Sequence, residues 1–124
     1  MGERDEWLEI YDALVGEVET FQKTVATFLA LMRVDRISSY ELNDKYAISF
    51  DRFGEVSITV SDIAYPIIIS KTHLRDVYNN LVDVIAVHKI ILGRIKDRVK
   101  ELENKFNKYM DVLSAVAISK GLNP

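Results

Sequence analysis

The chain has 124 residues, 48% of them hydrophobic and 28% charged, with five glycines, two prolines and no cysteine. This composition excludes a disordered chain, and the missing cysteines exclude disulfide frameworks, thiol catalysis and cysteine-ligated zinc. The net charge of −3 disfavours long-range attraction to a nucleic-acid backbone. The length predicts one domain over residues 1–119 with a C-terminal tail at 120–124.

No secretory leader is recognisable at the start, and no apolar run approaches the roughly 20 residues that cross a bilayer. We therefore expect a cytoplasmic protein that has no membrane partner.

The first element is a long amphipathic helix over about residues 5–34. Its apolar side chains recur at alternating four- and three-residue steps. They are Trp7, Tyr11, Leu14, Val18, Phe21, Val25, Phe28 and Met32. Several carboxylates occupy the first turns, where they interact well with the positive end of the helix dipole.

Residues 36–45 are predicted to be a loop, with one helical turn suggested by the capping-box spacing of Ser38 and Glu41. Period-two alternation then predicts strands over 46–50 and 56–60, which residues 51–54 join as a β-hairpin. The alternation continues over 63–69, where Pro66 indicates an edge strand. The middle of the chain thus predicts a three-stranded antiparallel sheet.

A second helix starts after Ser70, a good N-cap, and its apolar residues keep the four-three spacing for about six heptads. Gly121 stands where a C-terminal glycine cap is expected. At 1.5 Å per residue this helix runs roughly 70 Å, against roughly 45 Å for the first. The fold class is therefore α+β, with the helices expected to form an antiparallel hairpin of coiled-coil character.

The difference in helix length predicts an overhang from about Lys100 onward that keeps an apolar stripe. A bare stripe of that length is typical of a contact surface, so we expect a homodimer or a dimer of dimers. The predicted self-association residues are Leu102, Phe106, Tyr109, Met110, Leu113 and Val116. The alternative is that the helix bends back at Gly93.

A basic cluster lies on the second helix. It comprises Lys89, Arg94, Lys96, Arg98, Lys100, Lys105 and Lys108. Such a cluster is one signature of nucleic-acid contact. The alternative is charge pairing, because an antiparallel register sets the cluster beside the acidic start of the first helix.

No catalytic, metal-binding or cofactor-binding constellation is recognisable, so the sequence predicts neither an enzyme nor a cofactor. His88 lies on the apolar seam, and His73 is fifteen residues away, which is not metal-ligand spacing. Gly16 and Gly93 interrupt the two helices, and close helix approach would explain both.

Arg52 and Phe53 place a cation and an aromatic ring at the predicted hairpin tip, which suggests contact with another protein at the sheet end. The small, uncharged side chains of the polar sheet face could also dock against another sheet. A high Ile, Val, Glu and Lys content with one Gln hints at a thermophilic source.

These features predict a non-enzymatic, oligomeric interaction or scaffold protein that assembles through its C-terminal helix. The alternative function is a nucleic-acid-associated protein that displays the basic cluster once it is oligomeric.

Overall fold

A computed structural model describes residues 3–33, 39–51, 53 and 55–121. It confirms the α+β class. In chain order the elements are α1 (Glu3–Met32), β1 (Ser39–Glu41), β2 (Tyr46–Phe50), β3 (Val56–Val60), β4 (Ile67–Ile69), α2 (Leu74–Asn79) and α3 (Leu81–Ser119).

The strands form one antiparallel meander in the order β1-β2-β3-β4. The predicted hairpin is confirmed, with Tyr46 opposite Val60 and Phe50 opposite Val56. Its turn is held by the Asp51 carboxylate, which accepts hydrogen bonds from the backbone N–H groups of Phe53 and Glu55 at 2.9 Å each. An aspartate that opens a turn in this way replaces backbone hydrogen bonds that the ladder no longer supplies.

The sheet has four strands rather than the three predicted, because β1 lies inside the predicted loop. The Asn43 side-chain oxygen accepts hydrogen bonds from the N–H groups of Lys45 and Tyr46, which closes the turn into β2. A three-residue strand is too short to show an alternating pattern, so periodicity misses it. Glu41 lies in this strand rather than in a helical turn, and Ser38 lies outside the described residues.

The last strand is shorter than predicted. Only Ile67–Ile69 pairs with β3, while Ile63 and Tyr65 are exposed in the turn before it. β4 is an edge strand, as Pro66 indicated, because nothing in the sheet pairs with its other side.

The core lies between the inner face of the sheet and one face each of α1, α2 and α3. Alternate residues of β2, β3 and β4 point into it, so the period-two pattern decides which side chains are buried. The largest fully buried side chains are Phe21, Phe28, Ile48, Ile58, Ile69 and Ile91.

The two long helices run parallel, so the predicted antiparallel hairpin is wrong. Thr24 contacts His88 at 3.0 Å, and seven residues further along α1 the Leu31 carbonyl accepts a hydrogen bond from Arg98 at 3.3 Å. Residue numbers therefore rise together along both helices. Trp7 lies beside α2 instead of being level with Arg98.

The sheet explains this direction, because it lies along the sides of the helices and not at one end. The Ile69 carbonyl accepts a hydrogen bond from Gln22 at 3.2 Å, and Lys71 forms an ion pair with Glu19 at 2.7 Å. The chain therefore leaves the sheet beside the middle of α1. α2 then brings the chain back beside the start of α1. From there α3 has to run in the same direction as α1.

The predicted single second helix is divided. Ser70 caps a 3-10 turn at Lys71–His73, and Asn80 separates α2 from α3 with a non-helical backbone (φ −123°). The Asn80 side chain donates to the Asp76 carbonyl at 2.8 Å. Asparagine competes in this way for backbone partners, which makes it a common helix interruption. Gly121 ends α3 at φ +74°, which confirms the predicted glycine cap.

Gly16 and Gly93 do not mark a close approach of helices. Both are exposed, and a Cβ built on either meets nothing within 4 Å among the described residues. α3 continues through Gly93 to Ser119, so the helix does not bend back there.

Candidate self-association surface

The second half of α3 projects beyond the rest of the fold. α1 ends at Met32, close to the contact between Leu31 and Arg98, whereas α3 continues to Ser119. We call residues 99–119 the overhang, and it measures roughly 30 Å at 1.5 Å per residue. Every side chain in it is exposed except Ala117, which is partly exposed. The overhang thus extends past the C-terminal end of α1, whereas the antiparallel arrangement had placed it past the N-terminal end.

All six predicted self-association residues are exposed on the overhang. Phe106 and Tyr109 are each 61% exposed, which is unusual for large aromatic side chains. Val99, Val112 and Ile118 are exposed beside them and were absent from the prediction. Val99 belongs to the four-three seam, but the predicted overhang begins one residue later, at about Lys100. Val112 and Ile118 lie off the seam.

The exposed apolar surface is not confined to the overhang. One row of residues at seven-residue spacing, which we call the outer row, is 39% to 61% exposed from α2 to the last turns of α3. It consists of Tyr78, Ile85, Leu92, Val99, Phe106 and Leu113. A strict seven-residue repeat keeps one face of a helix toward a supercoiled partner.

A second row, the inner row, behaves differently along its length. It consists of Leu81, His88, Ile95, Leu102, Tyr109 and Val116. Its first three members are buried or partly buried against the fold, and its last three are exposed. The two rows together form the apolar seam that the sequence predicted.

The last part of the overhang is apolar except for one small polar residue, Ser114. Residues 112–118 contain no charged side chain, and Val112, Leu113, Val116 and Ile118 are all at least 44% exposed. A helix that is apolar all round is normally buried. We call residues 112–118 the tip.

A second apolar surface lies at the opposite end of the fold, between α1 and α2. Trp7, Leu8, Tyr11 and Tyr78 are all exposed there. We call this surface the N-terminal cleft; it encloses about 280 Å³, and three of these four side chains line it together with Leu14, Leu74, Arg75 and Asn79. The sequence marked these residues as part of the helical stripes and did not indicate that they remain exposed.

His88 is a buried core residue with both ring nitrogens in contact with polar groups. Nε2 lies 3.0 Å from the Thr24 hydroxyl, and Nδ1 lies 3.1 Å from a carboxylate oxygen of Glu17. Phe21 packs edge-on against the ring at a centroid distance of 5.5 Å. His88 therefore connects α3 to α1, as expected for a seam histidine whose polar atoms are satisfied.

The basic cluster does not face the acidic start of α1, because the helices are parallel. Arg94 donates to the Leu42 carbonyl, while Arg98 and Lys105 both form ion pairs with Glu101 on the same helix. The four other members have no carboxylate within ion-pair distance among residues 3–33, 39–51, 53 and 55–121. They are Lys89, Lys96, Lys100 and Lys108.

Two exposed glutamates show the electrostatics of the helix surfaces. The Arg98 guanidinium, with help from Lys105, lowers the pKa of the Glu101 carboxyl. Lys71 likewise lowers the pKa of Glu19, at the point where the 3-10 turn meets α1. Both carboxylates are therefore charged and paired at neutral pH.

The hairpin tip is only partly described. Phe53 is 81% exposed, and Arg52 lies outside the described residues. On the outer sheet face the hydroxyl oxygens of Ser49 and Thr59 lie 3.4 Å apart. Small hydroxyl groups therefore contribute to this surface.

Within the described part of the chain, no three His, Asp or Glu side chains come together as metal ligands do. Each buried side-chain nitrogen or oxygen there has a hydrogen-bond partner. None of the described helices combines the length and the apolar character that crossing a membrane requires.

Comparisons of the chain with models of protein families, with curated proteins and with solved structures found no match.

Proposed function

We propose that this protein is a non-enzymatic, homo-oligomeric interaction or scaffold protein that assembles through α3. The observation that carries this proposal is the overhang, where large apolar side chains are exposed and no element of the described part of the chain covers them. Burying an apolar side chain of this size is worth about 1.5–3 kcal/mol. Even half-exposed residues therefore contribute several kcal/mol together when a second chain covers them.

The body of the domain supports this reading because it is complete without the overhang. The described core residues lie in α1, the sheet with its β1–β2 turn, α2 and the first third of α3. The last 20 residues of α3 thus add little to the stability of one folded chain, and association is the physical role that their apolar pattern favours. We propose that the sheet end, including Phe53, recruits a further protein to the assembly.

A substitution on the overhang tests the proposal. Phe106→Glu places a charge in the centre of the exposed surface, so we expect light scattering after size exclusion to find an oligomer for the natural chain and a monomer for the variant. Asn104→Glu, two residues away on the opposite side of α3, introduces the same charge and should leave the oligomer intact. A monomeric natural chain, or an oligomer that Phe106→Glu leaves unchanged, would refute assembly through this surface.

A second candidate function, nucleic-acid association, is favoured by the four exposed lysines of the basic cluster that have no carboxylate partner among the described residues. An oligomer would present several copies of this charge to a phosphate backbone. A mobility shift of DNA or RNA that weakens as salt is raised would support this function. No shift at about 50 mM salt would exclude it.

A further inference from the structure

We propose that the partner of α3 is α3 of a second copy, running antiparallel, with the two-fold axis level with Asp97. This inference rests on the proposed function, since it takes self-association through α3 as given and specifies its geometry. It assigns an interface to the whole of α3 and not to the overhang alone.

The two apolar rows lead to this register. In an antiparallel coiled coil, a residue of one row faces a residue of the other row on the second helix. With the axis at Asp97, Leu92 faces Leu102 of the second copy, and Val99 faces Ile95. All six residues of the outer row then lie level with the six of the inner row; Leu102, Tyr109 and Val116 are exposed for contact, whereas Leu81, His88 and Ile95 pack against their own fold. A shift by one heptad toward the C-terminus leaves Tyr78 and Leu81 without a counterpart, and the opposite shift leaves Val116 without one.

The charges beside the seam agree with the same register. The flanking positions at seven-residue spacing are Val82, Lys89, Lys96, Glu103, Met110 and Ala117. In an antiparallel pair these positions face each other, which places Glu103 between Lys89 and Lys96 of the second copy. Neither lysine has a carboxylate within ion-pair distance among the described residues of its own chain. Glu103 therefore supplies the missing opposite charge.

The apolar flanking residues also match. Val82 is 82% exposed on α3, which is unusual for a β-branched apolar side chain near a folded core. In the proposed register it lies between Met110 and Ala117 of the second copy. A shorter antiparallel pairing of the two overhangs alone would instead set the Glu103 carboxylate against Met110 and Ala117. The full-length register avoids that contact and sets Val82 against apolar side chains; beside the axis it also brings the Lys96 side chains of the two copies together.

Both ends of the molecule are covered by the same arrangement. The tip, residues 112–118, comes level with residues 76–82 of the second copy, which are the end of α2 and the start of α3 on either side of Asn80. Ile10 and Leu81 line one cleft, so this level of α3 adjoins the N-terminal cleft with Trp7 and Tyr11. The tip, apolar except for Ser114, thus meets two helices of the partner. A parallel pairing would leave each tip in contact with only one helix.

Cysteine cross-linking tests the register, because the natural chain contains no cysteine. Leu92→Cys and Leu102→Cys are made in separate full-length chains; both side chains are exposed, so each variant should fold. After subunit exchange and mild oxidation of the mixture, we expect a covalent dimer on a non-reducing gel. Neither variant alone should cross-link, and the mismatched pair Leu92→Cys with Val116→Cys should not either.

Cross-linking of Leu92→Cys with itself would overturn the antiparallel direction, and no cross-link in the matched mixture would overturn the register. Light scattering on the same samples separates these failures from failure of the proposed function. A dimer without the expected cross-link refutes this geometry only, whereas a monomer refutes both.

Charge reversal provides an independent readout. Glu103→Lys sets like charges together at two symmetric sites, so we expect it to weaken the dimer by about tenfold in sedimentation. Asp111→Lys makes the same change in charge on the far side of α3 and should have little effect. Mixing Glu103→Lys with the double variant Lys89→Glu, Lys96→Glu should form mixed dimers in preference to either dimer alone. If Glu103→Lys and Asp111→Lys weakened the dimer equally, the assigned position of Glu103 would be wrong.

Discussion

At the scale of single residues, Tyr46 joins the sheet to the long helix. Its buried ring belongs to the core, and its hydroxyl donates a hydrogen bond of 2.7 Å to the Asp83 carboxylate near the start of α3. The hydrogen bond to Asp83, followed by burial, raises the pKa of Tyr46 above its ordinary value. This contact fixes where α3 begins relative to β2.

Removing the Tyr46 hydroxyl should change the free energy of unfolding by an amount that depends on pH. We expect Tyr46→Phe to lower the free energy of unfolding by about 1 kcal/mol at neutral pH, since a buried ring stays in place and one hydrogen bond is lost. Because the folded pKa is raised, this stabilisation is fully present below pH about 10, the ordinary tyrosine value, and is lost as pH rises through the folded pKa. Urea unfolding from pH 7 to pH 11 measures the difference.

The control for this prediction is Tyr65→Phe, because Tyr65 is 81% exposed and should contribute little to stability at neutral pH. A penalty for Tyr46→Phe that remained constant to pH 11 would show that the Asp83 contact does not account for the effect.

At the scale of secondary structure, α3 both contributes side chains to the core and presents an exposed apolar row. Its first third buries Val84, Val87 and Ile91 in the core, while the outer row remains exposed along its length. A helix can do both because residues seven apart stay on one face and neighbouring positions turn to another. The break at Asn80 sets the direction of α3 separately from that of α2.

The glycines of the helices give a prediction at this scale. Gly93→Ala should raise the free energy of unfolding by about 1 kcal/mol, because alanine is the better helix former and its Cβ meets nothing within 4 Å among the described residues. Gly16→Ala should act in the same direction for the same reason. Thermal and urea unfolding of both variants check this, and a loss of stability would instead indicate close packing at these positions.

At the scale of the whole molecule, assembly and stability should be linked. If two chains bury the exposed rows only when folded, the folded dimer is favoured at higher protein concentration. We expect the Tm of the natural chain to rise as concentration is raised from about 1 to 100 µM. Scanning calorimetry or circular dichroism measures this dependence.

Phe106→Glu serves as the reference for that measurement, since its Tm should be independent of concentration. A natural chain whose Tm does not change with concentration would contradict coupled folding and association. The same thermal unfolding curves also test whether the protein has the high thermal stability that its composition suggests.

The amino-acid sequence by itself determined most of the local structure. The spacing of apolar residues placed α1 within two residues of its observed ends and located β2 and β3, because burial of one face imposes a period on each element. The same spacing identified the seam of α3 and, on it, the six exposed residues that we propose for self-association; the glycine at position 121 marked the helix cap. β1 and the interruption at Asn80, which have no repeating pattern, were missed, and the alternation over residues 63–65 made the last predicted strand too long.

The tertiary structure alone decided the direction of the helices and hence the surroundings of each surface. Periodicity shows which face of α3 is apolar, but it carries no information about which part of that face α1 covers. That depends on where the four-stranded sheet returns the chain, a long-range property set by packing of the buried face of the sheet, with Ile69, against α1. The parallel arrangement separates the basic cluster from the acidic start of α1, leaves Trp7 and Tyr11 beside α2, and exposes the outer row along the whole of α3.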